Sequence, residues 1–333
     1  MRELTSYMTT QQQEAILTVC LMAAFADGGK SDTERAAIKR IVESLPHRDL
    51  NAAAIHRRVL EQQASLTEVV APLDSPSLRN FAYEMAVCVC EADEVINEAE
   101  RGFLESLQRE LQLSAAPTAA FQQRAEDTAR APLSDPPAPT NASGPLTLGV
   151  PPVDEAEMDR TILNYSILNG ALELLPESLS TMAIIPLQVK MVHAIGKRYG
   201  YSLDRGHIRE FLATLGVGLT SQVVEGFALK LLGGLFGRLG GHGGRGITHA
   251  VTDQVASSAI AFATTYGLGQ AARRYYAGGR TMSTLDLKGL FSSLSESAKA
   301  LHARYLPQIQ ERASTLNVGN LLPMIRGQGI EQP

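Results

Sequence analysis

The sequence predicts an all-α protein of two helical domains joined by a disordered linker rich in proline and alanine. Three observations predict it. The 333 residues are 44% hydrophobic, enough for two compact domains, with no Trp and only 5% aromatic side chains. Ala and Leu are abundant and β-branched runs few, a composition that favours helix. Residues 114–153 turn to Ala, Pro, Ser and Thr, with Pro132, Pro136, Pro137, Pro139, Pro145, Pro151 and Pro152, and no packed element is expected in such a stretch. The expected division is therefore 1–113 as one domain, 114–153 as a flexible linker, 154–313 as a second domain and 314–333 as a frayed tail.

Charge is unevenly spread over these parts. Residues 1–113 hold 11 basic and 18 acidic side chains, net −7, whereas 154–333 hold 17 and 14, net +3. An acidic half suits a cation or a basic partner, and a mildly basic half suits phosphate or an anionic membrane face. Cys20, Cys88 and Cys90 all fall in apolar helical patterns, and an odd number without framework spacing points to a reducing compartment. Cys88 and Cys90 could ligate a soft metal, but residues two apart lie on different sides of a helix, so buried spectators are the better reading. Met1 to Gln13 is polar and lacks the apolar core of a signal peptide, so a cytoplasmic location is expected.

The first helix is expected from Glu14 to Ala26, with Ile16, Leu17, Val19, Cys20 and Leu21 dense enough for a buried element. Gly28 and Gly29 stop it, and Ser31 with Glu34 reads as a capping box opening the next helix. That second helix carries Ala37, Ile38, Ile41, Val42 and Leu45 on one face and ends at Pro46. A third is expected over Asn51–Val70. Ser75-Pro76, an N-cap followed by proline at the first helical position, opens a fourth that runs to Ala92. Asn97 and Glu100 then repeat the capping box, and Phe103, Leu104, Leu107 and Leu111 form the last apolar face. A shift of 66 residues lays Ala26-Asp27 on Ala92-Asp93 and Glu34-Arg35 on Glu100-Arg101, a duplicated helix–turn–helix.

The two acidic turns are the candidate site. Capping accounts for Ser31, Glu34, Asn97 and Glu100, each box worth about 1 kcal/mol. It does not account for Asp27 and Asp93, which sit where a helix ends and the macrodipole disfavours a negative charge by ~0.3–1 kcal/mol. The same cost at two matching positions points to a positive partner. A divalent cation held by oxygens from both turns would supply it, and an arginine, a lysine or water is the competing explanation. An EF-hand does not fit, because Asp27 to Glu34 is too short for its loop and puts the glycines first.

Ala-Asp-Gly-x-x-Ser-x-x-Glu between apolar helices, repeated once, resembles the TerB-like (tellurite-resistance) domain over roughly residues 10–113. That resemblance implies an all-helical fold whose two acidic turns meet in a metal-binding cluster, in proteins of bacterial stress and surveillance systems. Carried over, Asp27, Glu34, Asp93 and Glu100 are the matching positions, with Asp32 and Glu98 as extra oxygens and Ca²⁺, Mg²⁺, Mn²⁺ or Zn²⁺ as the ion. The second turn departs from the pattern with Glu94-Val95 where Asp-Gly is expected.

Beyond the linker, helices are expected from about Asp154, from Pro186 to a stop at Gly200, over His207–Leu215, over Glu225–Leu239 and over Arg304–Arg312. Gly233, Gly237 and Gly241 share one face if the fourth of these continues, as in glycine-mediated membrane helix pairs, although Gly241 equally suits the start of a loop. No P-loop string is present. Gln254 to Ala272 is 19 residues without charge, close to the ~20 needed to span hydrocarbon, yet it contains Ser257, Ser258, Thr264, Thr265 and Gln270. Such segments fit a domain interior, or a bundle leaning on a bilayer, better than clear spans. Arg273-Arg274-Tyr275-Tyr276 suits a membrane interface and equally a solvated helix end.

Thr181-Met-Ala-Ile-Ile-Pro-Leu-Gln-Val-Lys-Met-Val, Lys197-Arg-Tyr-Gly and the run from Thr264 to Gly279 resemble the GTPase-associated domain of YcjF-like inner-membrane proteins, over roughly residues 155–300. This implies a membrane-linked or GTPase-partner role and supplies no catalytic residue. The resulting expectation is a non-enzymatic protein, because no nucleophile–base set or closed metal-ligand motif stands out and His193, His207, His242 and His249 read as ordinary surface or loop histidines. A protein partner is expected and neither nucleic acid nor a small-molecule substrate. The expected location is the cytoplasm, at the cytoplasmic face of the inner membrane or within it. The alternative is a structural adaptor whose acidic face binds a basic protein without metal.

Overall fold

A computed structural model of the chain describes residues 8–26, 28, 51–93, 96–130, 154–175, 178–215, 217, 219–232 and 247–317. Among them every regular element is a helix, as the composition predicts. The chain divides into two compact units. Unit 1 takes in Met1–Arg130, Leu172–Ile185 and Gly216–Ser258, and unit 2 takes in Ala131–Ala171, Pro186–Leu215 and Ala259–Pro333. The units thus cross the boundary expected between residues 113 and 154.

Unit 1 is built around α1 (Thr10–Ala24), which is buried on all sides, from Ala15 through Leu21 and again at Ala23 and Ala24. It begins earlier than Glu14 because Thr9 and Gln12 form a capping box: Thr9 Oγ1 accepts the Gln12 N–H at 3.2 Å, and Gln12 Oε1 accepts the Thr9 N–H at 2.9 Å. The helix expected over residues 31–46, with its Ser31–Glu34 box, lies outside the described residues. The helix expected over 51–70 is two helices, α2 (Ala52–Leu60) and α3 (Leu66–Val70). The break is a Schellman turn: Gln62 stands at φ 54°, its N–H donates to Val59 O at 3.0 Å, and the Gln63 N–H donates to Arg58 O at 2.9 Å. Glutamine gives no sequence signal for a left-handed residue, which is why this stop was not foreseen.

Ser75 and Pro76 open α4 (Pro76–Cys90) as predicted, with Ser75 Oγ accepting the Leu78 N–H at 3.2 Å. A 3₁₀ turn over Glu91–Asp93 leads to α5 (Glu98–Glu110), and α5 ends in a second Schellman turn at Gln112, φ 55°. The expected flexible linker over 114–153 is corrected in its first part, because α6 spans Ala115–Ala129. Thr118, Phe121, Ala125 and Thr128 recur at helical spacing and are buried, and α6 packs on α4 and the 3₁₀ turn. The prolines that suggested disorder begin only at Pro132, and residues 131–153 lie outside the described residues. Unit 1 is completed by α8 (Ser178–Met182) and α11 (Leu219–Leu232). Val223, Val224, Phe227 and Ala228 of α11 are buried, and the helix packs on α1 and α4.

Unit 2 holds α7 (Glu155–Leu172) up to Ala171, α9 (Ile184–Arg198) from Pro186, α10 (Arg205–Leu215), α12 (Ile247–Ala277) from Ala259, and α13 (Thr284–Thr315). Asp154 caps α7, its Oδ1 accepting the Ala156 and Glu157 N–H groups. Gly200, at φ 84°, stops α9 where the sequence places the stop. The last helix is far longer than the expected Arg304–Arg312: it starts at Ser283, whose Oγ accepts the Asp286 N–H, and continues through Pro307 to Thr315. It packs on α10 and on α12, where Gly267 lies against Ser295 and the Phe262 ring meets His302 edge-on at 5.7 Å. The glycine face at 233, 237 and 241 lies outside the described residues.

Candidate metal centre

The second acidic turn can be built residue by residue. Where α4 ends, the Glu91 N–H closes the helix onto Val87 O and Val89 O. Glu91 itself is only 3% exposed, since the 3₁₀ turn packs against α4, α6 and α11 within unit 1. Asn97 then caps α5 through the predicted box: its Oδ1 accepts the Glu100 N–H at 3.0 Å, and Glu100 Oε2 accepts the Asn97 N–H at 3.1 Å. Glu100 is 1% exposed, far more enclosed than capping requires, whereas Glu98 is exposed.

Of the six predicted ligands, only Glu98 and Glu100 have described side chains. Asp93 contributes its backbone to the 3₁₀ turn, and Asp27, Asp32 and Glu34 lie outside the described residues. Glu98 and Glu100 differ in environment, one in solvent and one in the interior. Among the described residues no group of three or more His, Cys, Asp or Glu side chains forms a metal-ligating cluster. The donor chemistry fits a hard cation in part: Glu100 is a buried carboxylate, but one of its oxygens already serves the cap.

Glu91 was missed by the sequence reading. It bears the same electrostatic signature as Asp93, an acidic side chain at a helix C-terminus where the dipole disfavours it. The 66-residue shift aligns it with Phe25, whose ring packs on His56 at 5.7 Å, so the repeat itself hides the residue. Glu91 and Glu100 are thus both buried, one before and one after the second acidic turn. A carboxylate is kept ionised in an interior only by hydrogen bonds or positive charge.

The cysteines are enclosed, with Cys20 and Cys88 at 0% and Cys90 at 1% exposure. Cys88 and Cys90, two residues apart on α4, are thus both enclosed. Burial pushes the Cys20 thiol up to about 12, which disfavours the thiolate that a metal needs. Among the histidines, His207 is half-exposed beside Asp204, as a surface residue should be. His193 corrects the surface reading: it is buried in α9. The side chains of His242 and His249 lie outside the described residues.

In unit 2 Arg273 and Tyr276 of the Arg273–Tyr276 run make internal contacts, while Arg274 is exposed. Arg273 pairs with Glu155 at 2.7 Å and with Asp159, and Tyr276 is 3% exposed against Tyr201 and Phe211. Arg198 likewise pairs with Glu157 at 2.6 Å, holding that carboxyl below its usual range. Ser257, Ser258, Thr265 and Gln270 of α12 are all buried, so the uncharged run 254–272 carries polar groups into the protein interior. No helix among the described residues is long and apolar enough to cross a membrane.

No curated protein and no solved structure matches the chain. The YcjF-like resemblance of residues 155–300 finds no support among the family comparisons. The N-terminal resemblance does: residues 3–125, from the start of the chain through most of α6, match the model of the family described as "Protein of unknown function (DUF533)", which is a TerB-like family.

Proposed function

We propose that this chain is a non-enzymatic bacterial scaffold of the stress-response type, whose N-terminal acidic turns take up a divalent cation. The observation that carries the reading is the burial of Glu91 and Glu100 on either side of the second turn. Two carboxylates enclosed at one turn concentrate negative charge where a cation would be attracted, and Asp27, Asp32, Glu34, Asp93 and Glu98 are the further oxygens that the sequence repeat offers. Cation uptake would stiffen the junction of α4, α5 and α6 and so alter what unit 1 docks against. The C-terminal helices would lean on a membrane face or a GTPase partner at the cytoplasmic side, a role resting on the YcjF-like resemblance. Thermal unfolding of the full chain in Ca²⁺, Mg²⁺, Mn²⁺ and Zn²⁺ tests the cation. A rise in midpoint with one of them, abolished in Glu100→Gln, supports it, and no rise with any removes it.

One observation favours the second reading, an adaptor that binds a basic protein without metal. The Asn97–Glu100 box already gives Glu100 a structural role. Partner capture that is strongly salt-sensitive and indifferent to EDTA would select it.

A further inference from the structure

Unit 2 carries a polar cluster inside its apolar interior. Asn169 of α7, Gln188 of α9 and Thr265 of α12 are each fully excluded from solvent. Leu168, Leu187 and Val189 beside them in the chain are buried too, and so is Ala263 two residues before Thr265. Asn169 Nδ2 donates to Thr265 Oγ1 at 2.9 Å, and Gln188 Nε2 donates to the same oxygen at 3.1 Å. Two donors exhaust the lone pairs of a hydroxyl, and its own proton must point away from both amides.

The other end of each amide is left over. Asn169 Oδ1 and Gln188 Oε1 are buried and have no hydrogen-bond partner among the described residues. A buried carbonyl oxygen without a donor bears its full desolvation penalty. Turning either amide over exchanges an unpaired oxygen for an unpaired NH₂, so the deficit stays. The guest that removes it must be small and must donate hydrogen bonds. A cation fits poorly, because the three side chains are neutral and no carboxylate bonds to them among the described residues. Water fits, since it brings two O–H donors and is the species that commonly satisfies such groups.

We propose that Asn169, Gln188 and Thr265 form an internal hydration site, in which water enclosed in unit 2 donates to Asn169 Oδ1 and Gln188 Oε1. The completed network ties three helices that are far apart in sequence and penalises any rotation that carries one of the three polar groups out of reach. It acts as a register mark between the three helices.

A crystal structure of the full chain, at a resolution that shows ordered water, tests the site directly. Water within hydrogen-bond distance of both amide oxygens is expected. A protein donor on either oxygen, a coordinated cation, or a dry site overturns the proposal. Unfolding measurements supply a second readout. Thr265→Val keeps the shape but strands two NH₂ groups, and the unfolding midpoint should fall. The triple variant Asn169→Leu, Gln188→Met, Thr265→Val removes the whole network, and its midpoint should recover towards the parent with the water gone. If Thr265→Val does not fold, folding of the triple variant carries the same inference. A midpoint unmoved by Thr265→Val, or a triple variant that keeps the water, refutes it.

Discussion

Gly267→Ala adds one methyl group at the crossing of α12 and α13. A Cβ there would stand 2.2 Å from Ser295 Oγ, 2.9 Å from Ser295 N and 3.1 Å from Ser295 Cα. The hydroxyl can rotate, but the two backbone atoms cannot, so the helices must move apart. Overpacking of this kind costs about 1–3 kcal/mol, and contact with backbone places it near the top of that range. Alanine returns about 1 kcal/mol in helix propensity, leaving a net loss of about 2 kcal/mol. Gly289→Ala on α13 is the control, because a Cβ there meets nothing within 4 Å and only the propensity gain remains. The two variants should therefore differ by about 3 kcal/mol in urea unfolding followed by helical circular dichroism. Hydrogen exchange should show the loss at the α12–α13 contact first. Equal stability of Gly267→Ala and Gly289→Ala would refute the close approach.

Gln62→Gly and Gln112→Gly relieve left-handed residues at two Schellman turns, and each should stabilise unit 1 by about 0.5–1 kcal/mol in the same assay. His302 is 3% exposed against the edge of Phe262, and burial holds its imidazole below the ordinary 6.5. The unfolded chain therefore takes up this proton first, so the contribution is intact above pH 6.5 and is lost as pH falls towards the folded value. His302→Leu should flatten the decline in midpoint between about pH 7 and pH 5, and an unchanged slope counts against it. Cys20, Cys88 and Cys90 should resist a thiol reagent in the native chain and react together on unfolding.

Much of this fold could be read from short-range chemistry. Ser75-Pro76, Asn97 with Glu100, Asp154 and Gly200 announce helix ends through groups that bond their own neighbourhood, and each does so in the structure. The density of apolar residues in α1 likewise foretold a helix enclosed on every side. What failed to show depends on tertiary context or on averaging. Gln62 ends α2 without being a glycine, and Ala115–Ala129 shares the Ala- and Thr-rich composition of the proline-rich stretch that follows it, which masks the helical spacing of α6. The long α13 is interrupted in pattern by Pro307, although the helix runs through it. The polar side chains of Asn169, Gln188 and Thr265 gave no sign that they meet. In the candidate site, the cap at Glu100 was legible and its burial was not, because burial depends on which elements cover the turn. Glu91 lay outside the repeat that directed attention to Asp93.

Calorimetric titration of the full chain with Ca²⁺, Mg²⁺, Mn²⁺ and Zn²⁺ bears most directly on the proposed cation. The account predicts saturable binding of one of these ions, lost in the Asp27→Asn, Asp93→Asn double variant while circular dichroism shows the helices intact. Absence of binding for all four ions, or binding that survives the double variant unchanged, would contradict it.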